Sequence, residues 1–415
     1  MTNVSRRTVL KLVGATAAAT MAGWSSQDAR ASTTGTAVTL NCWDYWTAGG
    51  TKKSADEAYA AYMKANPQVT IKRRTIAFDQ YKRTLLQAAS AGQVPDVIAV
   101  DNSDVSSFAA LGLLSDLTGR LAAWSGAGDI LDNAWKTAVW QGKRWAVPDA
   151  VNCLVLWYNK KALRDAGTVV PTTWDELRSV APKLTKKNQF ALAVSAVQSE
   201  ESTYQWLPWL WQAGGDVPTL DGEGGKAALQ IWKDLIDRGH MSRGVVSWGQ
   251  QDVMNQFANG QAAMMVNGPW QIPDLTATAP KGFEWGVAPL PKNEQEASVI
   301  GAEDLAIPAR SSNPDAAFDL IKWLKQPAVA KQYVITGNQL PSSKTLVDDP
   351  YWADDVVRSV FVKELTVARP RAYGEHYLDI SKAIQLAIQR ALTGQASVAD
   401  SLAQAARAIK PLLRS

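Results

Sequence analysis

From position 37 onward the apolar residues change period along the chain, and the changes mark the elements. Residues 37–44 (AVTLNCWD) read as a strand, 54–64 as a helix closed by Asn66-Pro67, 69–75 as an alternating strand, 78–91 as a helix stopped by Gly92, and 96–100 as a short strand. Strand, helix, strand, helix, strand predicts a parallel sheet. The stretch 142–160, GKRWAVPDAVNCLVLWYNK, joins this half to the next. Trp145-Ala-Val reads as one buried strand, Pro148 withholds a ladder donor, and 151–158 resumes as a second strand before Asn159-Lys160-Lys161 opens a helix. That pattern fits a chain passing from one domain to another. Two ordinary core strands with a Pro-marked bend fit it equally.

Past this crossing the alternation restarts. Thr173-Trp-Asp-Glu176 is a capping box, 190–194 a strand, and 201–213 a helix ending at Gly214-Gly215. Residues 225–238 and 250–259 read as helices, 262–266 as an apolar strand, Asn267-Gly268-Pro269-Trp270 as a turn, and 285–290 as a strand. Residues 298–308 form a return strand, Asn313-Pro314 opens a helix to Lys325, and 351–363, 373–392 and 397–413 are helical.

Length turns this pattern into two domains, because 415 residues exceed the roughly 250–300 at which one core stops growing. Charge excludes a class of partner. Arg6, Arg7, Lys11 and Arg30 against Asp28, all within the first 31 residues, account for most of the formal +4. The remainder is near neutral and offers nucleic acid no electrostatic hold. No run reaches the ~18 apolar residues needed to span a bilayer.

Those first 31 residues carry Arg6-Arg7 between Ser5 and Leu10-Lys11, then a weakly apolar run, then the A-x-A pattern Ala29-Arg30-Ala31. They resemble a twin-arginine export signal, with no Cys at the cleavage site to carry a lipid, so a periplasmic location is expected. The two thiols, Cys42 and Cys153, have apolar neighbours at strand ends. Two buried free thiols are expected; export also permits one disulfide.

In open α/β sheets ligands sit beyond the carboxyl ends of strands, which places Trp43, Asp44 and Trp46, with Tyr45 between them, Phe78, and Asp101, Asn102 and Ser103 toward one crevice. Each has a second reading: the first three as loop packing, Asp101 and Asn102 as an Asx cap for the next helix. The chain also holds 18 Trp, whose flat faces suit sugar rings as well as a Trp-rich core. Trp206, Trp209 and Trp211 are spaced so that all three cannot share one helix face, which predicts at least one toward a cleft and one toward the core. Arg369, Arg371 and Tyr373 precede the tail helix, where an Arg forks onto hydroxyls or merely caps the surface.

Five fragments then occur in order: Pro95-Asp96-Val97-Ile98 with 110–117 (ALGLLSDL); Val147-Pro148 with 156–160 (LWYNK); 171–177 (PTTWDEL); 257–270 (FANGQAAMMVNGPW); and a helical tail with 392–395 (LTGQ). This series resembles the extracellular solute-binding proteins of family 1, the maltose-binding-like receptors of sugar ABC importers, over essentially the whole mature chain. The resemblance implies an α/β fold of two lobes, the periplasmic-binding-protein-like fold of class II. Lobes 32–149 plus 303–341 and 152–298 plus 345–415 would be joined by three hinge crossings near 149–153, 296–303 and 340–345. It implies a monomer that holds a mono- or oligosaccharide in the interlobe cleft and passes it to membrane permease subunits, with neither cofactor nor metal. By position it makes Asn152 a polar ligand contact in the first hinge and Trp270 a ring stacked on sugar. Gly301, Ala302 and Glu303 stand at the second hinge, where members carry a Gly-Gly-like pair.

Catalysis finds little support. His240 and His376 lie far apart, and no G-x-S-x-G, H-E-x-x-H or phosphate-loop pattern occurs. Asp44 with Glu303 leaves a secreted glycoside hydrolase as the alternative. A same-fold receptor for a polyamine or ferric ion would want more acidic residues or paired Tyr at the strand ends.

Overall fold

The computed structural model describes residues 37–413, and the expected export signal lies outside them. Two main sheets organise the chain. The larger has the spatial order Leu340–Pro341, Val147–Asn152, Gly301–Ala306, Val97–Asp101, Val38–Asp44, Val69–Thr75. The smaller runs Trp285–Ala288, Val155–Asn159, Ala262–Asn267, Phe190–Ala193. With helices over both, the fold is the two-lobed α/β arrangement of periplasmic binding proteins.

The parallel sheet expected of the strand, helix, strand, helix, strand run is present, but it does not extend through the whole of the large sheet. Val38–Asp44 is parallel to both its neighbours, but Gly301–Ala306, Val147–Asn152 and Leu340–Pro341 all pair antiparallel. Of these three, Val147–Asn152 runs on into the small sheet and Gly301–Ala306 is reached from it. They lie side by side at one end of the large sheet. Two-residue strands Ser298–Val299 and Ala368–Arg369 pair parallel just before the middle crossing.

Pro148 also differs from expectation, since it sits inside Val147–Asn152 and the strand breaks only at Cys153-Leu154. A bulge accommodates it: against Gly301–Ala306, Ala150 pairs with Glu303 and Pro148 with Asp304, so Asp149 is the extra residue, on the same strand as Pro148. Local capping follows the sequence more closely. Asn159 Oδ1 accepts the Ala162 N–H at 2.9 Å and Thr173 Oγ1 accepts the Glu176 N–H at 3.2 Å. The Glu176 carboxylate reaches the N–H of Thr172, one residue outside the cap. The tail helix starts at Tyr377, later than 373, and the helix expected over 351–363 is two, Pro350–Ala353 and Arg358–Leu365.

Two apolar cores flank the small sheet. Leu154 and Leu156 belong to one and Val155 and Trp157 to the other, the period-2 alternation of a strand covered on both faces. Helix Glu200–Gln212 is buried at every position from Ser202 onward, the pattern of a helix packed all round, and it continues through Pro208. Cys42, in Val38–Asp44, and Cys153, in the break after Val147–Asn152, are both buried free thiols.

Candidate functional site

The crossing strands bring their ends to a cleft with about 830 Å³ of empty space, part of it open to solvent. From the large sheet come Tyr45 and Trp46 after the first strand, Thr51 and Phe78 on the following helices, Asp101 at the end of Val97–Asp101, and Gln339. The crossings add Asn152, Gly301, Ala302 and Glu303; the opposite wall is Glu200, Glu201, Tyr204, Gln250, Trp270 and Arg371.

Close packing at the hinge depends on glycine. A Cβ on Gly301 would stand 2.1 Å from Asn152 Oδ1 and 2.8 Å from the Tyr204 hydroxyl. That space lets Tyr204 donate to Asn152 Oδ1 at 2.8 Å, a bond spanning the first crossing and the second-lobe helix. Gly268 does the same for Trp270. A Cβ there would lie 2.0 Å from the indole, so the ring folds back over the Gly268 backbone beside Tyr204, centroids 6.4 Å apart. Tyr45 meets Phe78 edge-on at 5.1 Å and Trp46 meets Tyr333 at 6.2 Å, giving the first-lobe wall an aromatic surface.

Arg371 ties the two walls. It donates to Asp101 Oδ1 at 2.9 Å, to Asn102 Oδ1 at 3.0 Å and to Glu200 Oε1, while its guanidinium lies 4.7 Å from the Tyr204 ring centroid. Only 2 % of it is exposed, so the two carboxylates supply the compensation that a buried cation requires. Burial raises the Asp101 carboxyl, but Arg371 and the Ser103 hydroxyl and N–H outweigh it and hold it below the ordinary range. Glu303 goes the other way. Burial, then Asp101 opposite it in the ladder, then Asp149, push its carboxyl up to about 8. Its Oε2 is shut from water and has no partner.

Of the expected residues, Trp46, Phe78, Asp101, Asn152, Trp270, Gly301, Glu303 and Arg371 line the cleft. Asp101 is also the Asx cap, accepting from Ser103 N at 3.0 Å. Others do not line it. Asp44 is 1 % exposed and held by Arg73 in two bonds of 2.6 and 2.8 Å, so no Asp44–Glu303 pair assembles there. Trp43 lies under Arg74, 4.4 Å from ring centroid to guanidinium. Asn102 is buried behind the wall, bonded to Ile300 O and Arg371. Trp209 packs between Trp174 and Trp232 in the core, and Trp211 and Tyr373 are joined to each other and to Asp216. Trp206 is fully buried too, so the expected split among the three Trp fails: this helix meets the cleft through Glu200, Glu201 and Tyr204 in its first turns, and beyond them it is packed all round.

Tyr45, placed toward the crevice with its neighbours, and Ala302, at the second hinge, line the cleft too; the chain reading missed Thr51, Glu200, Glu201, Tyr204, Gln250 and Gln339. The strand-end rule, applied after 190–194 as it was after 37–44, reaches Glu200 and Glu201, and helical spacing from Glu200 then gives Tyr204. Gln339 carries no such signal. Among the described residues no cluster of His, Cys, Asp and Glu has the form of a metal site, and no helix is long and apolar enough to cross a membrane.

Residues 57–358 match the model of the bacterial extracellular solute-binding protein family. An ABC-transporter solute-binding protein from Thermotoga lettingae, solved with α-D-tagatose, superposes with a TM-score of 0.85 at 27% identity, covering 90% of this chain and 99% of that one. The GacH receptor of Streptomyces glaucescens, solved with and without acarbose, gives 0.83 at 29% identity over 91% and 98%. A maltotriose-binding protein of Pyrococcus abyssi is 27% identical over 71% of this chain and 65% of its own length.

Proposed function

As the chain belongs to the bacterial extracellular solute-binding proteins, we propose that it is the sugar-capturing component of an ABC importer. The observation that carries this is the cleft itself: aromatic faces of Tyr45, Trp46 and Trp270 surround hydrogen-bonding groups of Asn152, Asp101, Glu303 and Arg371, at the place where three strands cross between lobes. Rings cover the apolar face of a pyranose and the polar groups fix its hydroxyls. The solved neighbours that hold tagatose and acarbose support the same class of ligand.

In this reading the lobes are 37–149 with 303–341 and 152–298 with 345–413, and they rotate about the three crossings to enclose the sugar. Contacts from both walls select the closed state. The twin-arginine pair Arg6-Arg7 exports the folded monomer to the periplasm, and membrane permease subunits receive the sugar from it. The protein binds without turning its ligand over.

Thermal-shift screening against a panel of mono- and oligosaccharides tests the reading, because a ligand at 100 times its Kd adds about 2.7 kcal/mol to stability. At least one sugar is expected to raise the melting temperature and to be recovered intact. A panel with no shift, or recovery of cleaved sugar, overturns it.

A further inference from the structure

We propose that the captured sugar carries a protonated amino group, which sits against Glu303 and within reach of the charge on Glu201. The inference rests on the sugar reading and adds the ligand's charge.

Four carboxylates line the cleft, those of Asp101, Glu200, Glu201 and Glu303, against one cation, Arg371. That cation is already engaged, with Asp101 and Glu200 its two ionic partners. Glu201 accepts only neutral donors, Ser195 Oγ at 3.1 Å and Gln250 N at 2.7 Å, so its charge is oriented and not neutralised. Glu303 has no ion-pair partner among the described residues, and its Oε2 is buried without a donor. Gln339, 5 % exposed and just before Leu340–Pro341, which pairs with the other side of Val147–Asn152, presents a second buried acceptor, Oε1, likewise without a donor among the described residues. The cleft therefore carries more acidic groups than cations, and unmet acceptors on Glu303 and Gln339. An ammonium supplies three N–H donors and one charge, which a hydroxyl or an N-acetyl group does not. The surrounding rings add to this, since the faces of Tyr and Trp attract cations.

The surroundings of Glu303 give the proposal a readout in protons. The acids that act on it are Asp101, Asp149 and Asp304; Tyr45, Tyr204 and Tyr333 also face it. Lys325, a buried cation, is bound to Asp149 and Ser342. In the free protein these terms hold Glu303 protonated up to about pH 8. An ammonium beside it favours the carboxylate, so binding at pH 7 expels the Glu303 proton.

The experiment titrates the full mature chain by calorimetry at pH 7 with matched triplets of hexose, N-acetylhexosamine and free hexosamine in gluco, galacto and manno configurations. Dimers of each are included, and every titration is run in two buffers of different ionisation enthalpy. The expected result is that in at least one triplet the free amino sugar binds about tenfold or more tighter than both neutral members, with release of a proton. The preference weakens with added salt and shrinks to about threefold or less in Glu303→Gln, with Glu201→Gln as the second variant and melting curves confirming the fold of both. Equal or tighter binding of a neutral member, or an amino preference that survives both substitutions, overturns this proposal and leaves the sugar reading standing. If no member of any triplet binds, the sugar reading falls and this proposal with it.

Discussion

Trp209 and Trp270 belong to the same half of the chain, both follow a Gly- or Pro-marked signal, and the structure gives them opposite surroundings. Trp209 is 1 % exposed, boxed by Trp174 and Trp232 at 5.5 and 6.1 Å. Trp270 is only partly buried, lying over Gly268 beside Tyr204 and lining the cleft. The difference teaches that an aromatic side chain becomes a binding surface through what leaves it uncovered. Gly268 and a one-turn helix, Pro269–Gln271, leave Trp270 uncovered; a helix packed all round covers Trp209.

The comparison breaks most visibly at Trp209. Trp209→Ala is expected to cost about 3–5 kcal/mol of stability, read from denaturant unfolding, while the surviving folded protein keeps its sugar affinity. An affinity loss without destabilisation would move Trp209 to the cleft. Trp270→Ala should invert the pattern, with about 2 kcal/mol, or ~30-fold, lost from affinity and a much smaller change in melting temperature. Gly268→Ala tests the same ring indirectly. The added methyl displaces the indole without removing it, so affinity should fall by up to ~10-fold, about 1.4 kcal/mol, with little effect from a matching Ala at exposed Gly119.

Two glutamates sharpen the contrast in a second residue type. Glu303 in the cleft and Glu364, behind the Leu290 N–H in the second apolar region, are both raised to about 8, chiefly by burial. The folded chain thus holds protons that the unfolded chain has released between the ordinary glutamate value and pH 8. Stability contributed by these groups is present at low pH and is lost as pH rises through about 8. Melting temperature is expected to drop from pH 6 to pH 9. Glu364→Gln should flatten that slope without touching sugar binding, whereas Glu303→Gln should flatten it and change binding too.

How much of this was legible in the chain follows from which forces are local. Val69–Thr75 falls where alternation places it, and Asn159 and Thr173 cap as their side chains allow, because each is decided within a few residues. Strand direction was not legible for Val147–Asn152 and Gly301–Ala306, since it depends on where the chain goes next. Pro148 was misread for the same reason: its strand runs on through a bulge at Asp149, which shows only once the chain pairs with Gly301–Ala306, far along the sequence. In the site, strand ends pointed to Trp46, Phe78 and Asp101, but not to the neutralisation of Asp44 by Arg73, a partner on the adjacent parallel strand in register with Cys42. Gln339 was beyond reach because only the pairing of Leu340 with Val151 brings it to the cleft.

The account turns on one claim, that the cleft between the lobes closes on a sugar through contacts from both walls. Small-angle scattering of the mature protein, free and saturated with the sugar that gives the largest thermal shift, addresses it directly, with Trp270→Ala measured alongside at the same ligand concentration. The radius of gyration should fall in the wild type and stay near the free value in the variant, whose second-lobe contact is gone. A wild-type radius that does not change at saturation would contradict closure and make the molecule a rigid binder.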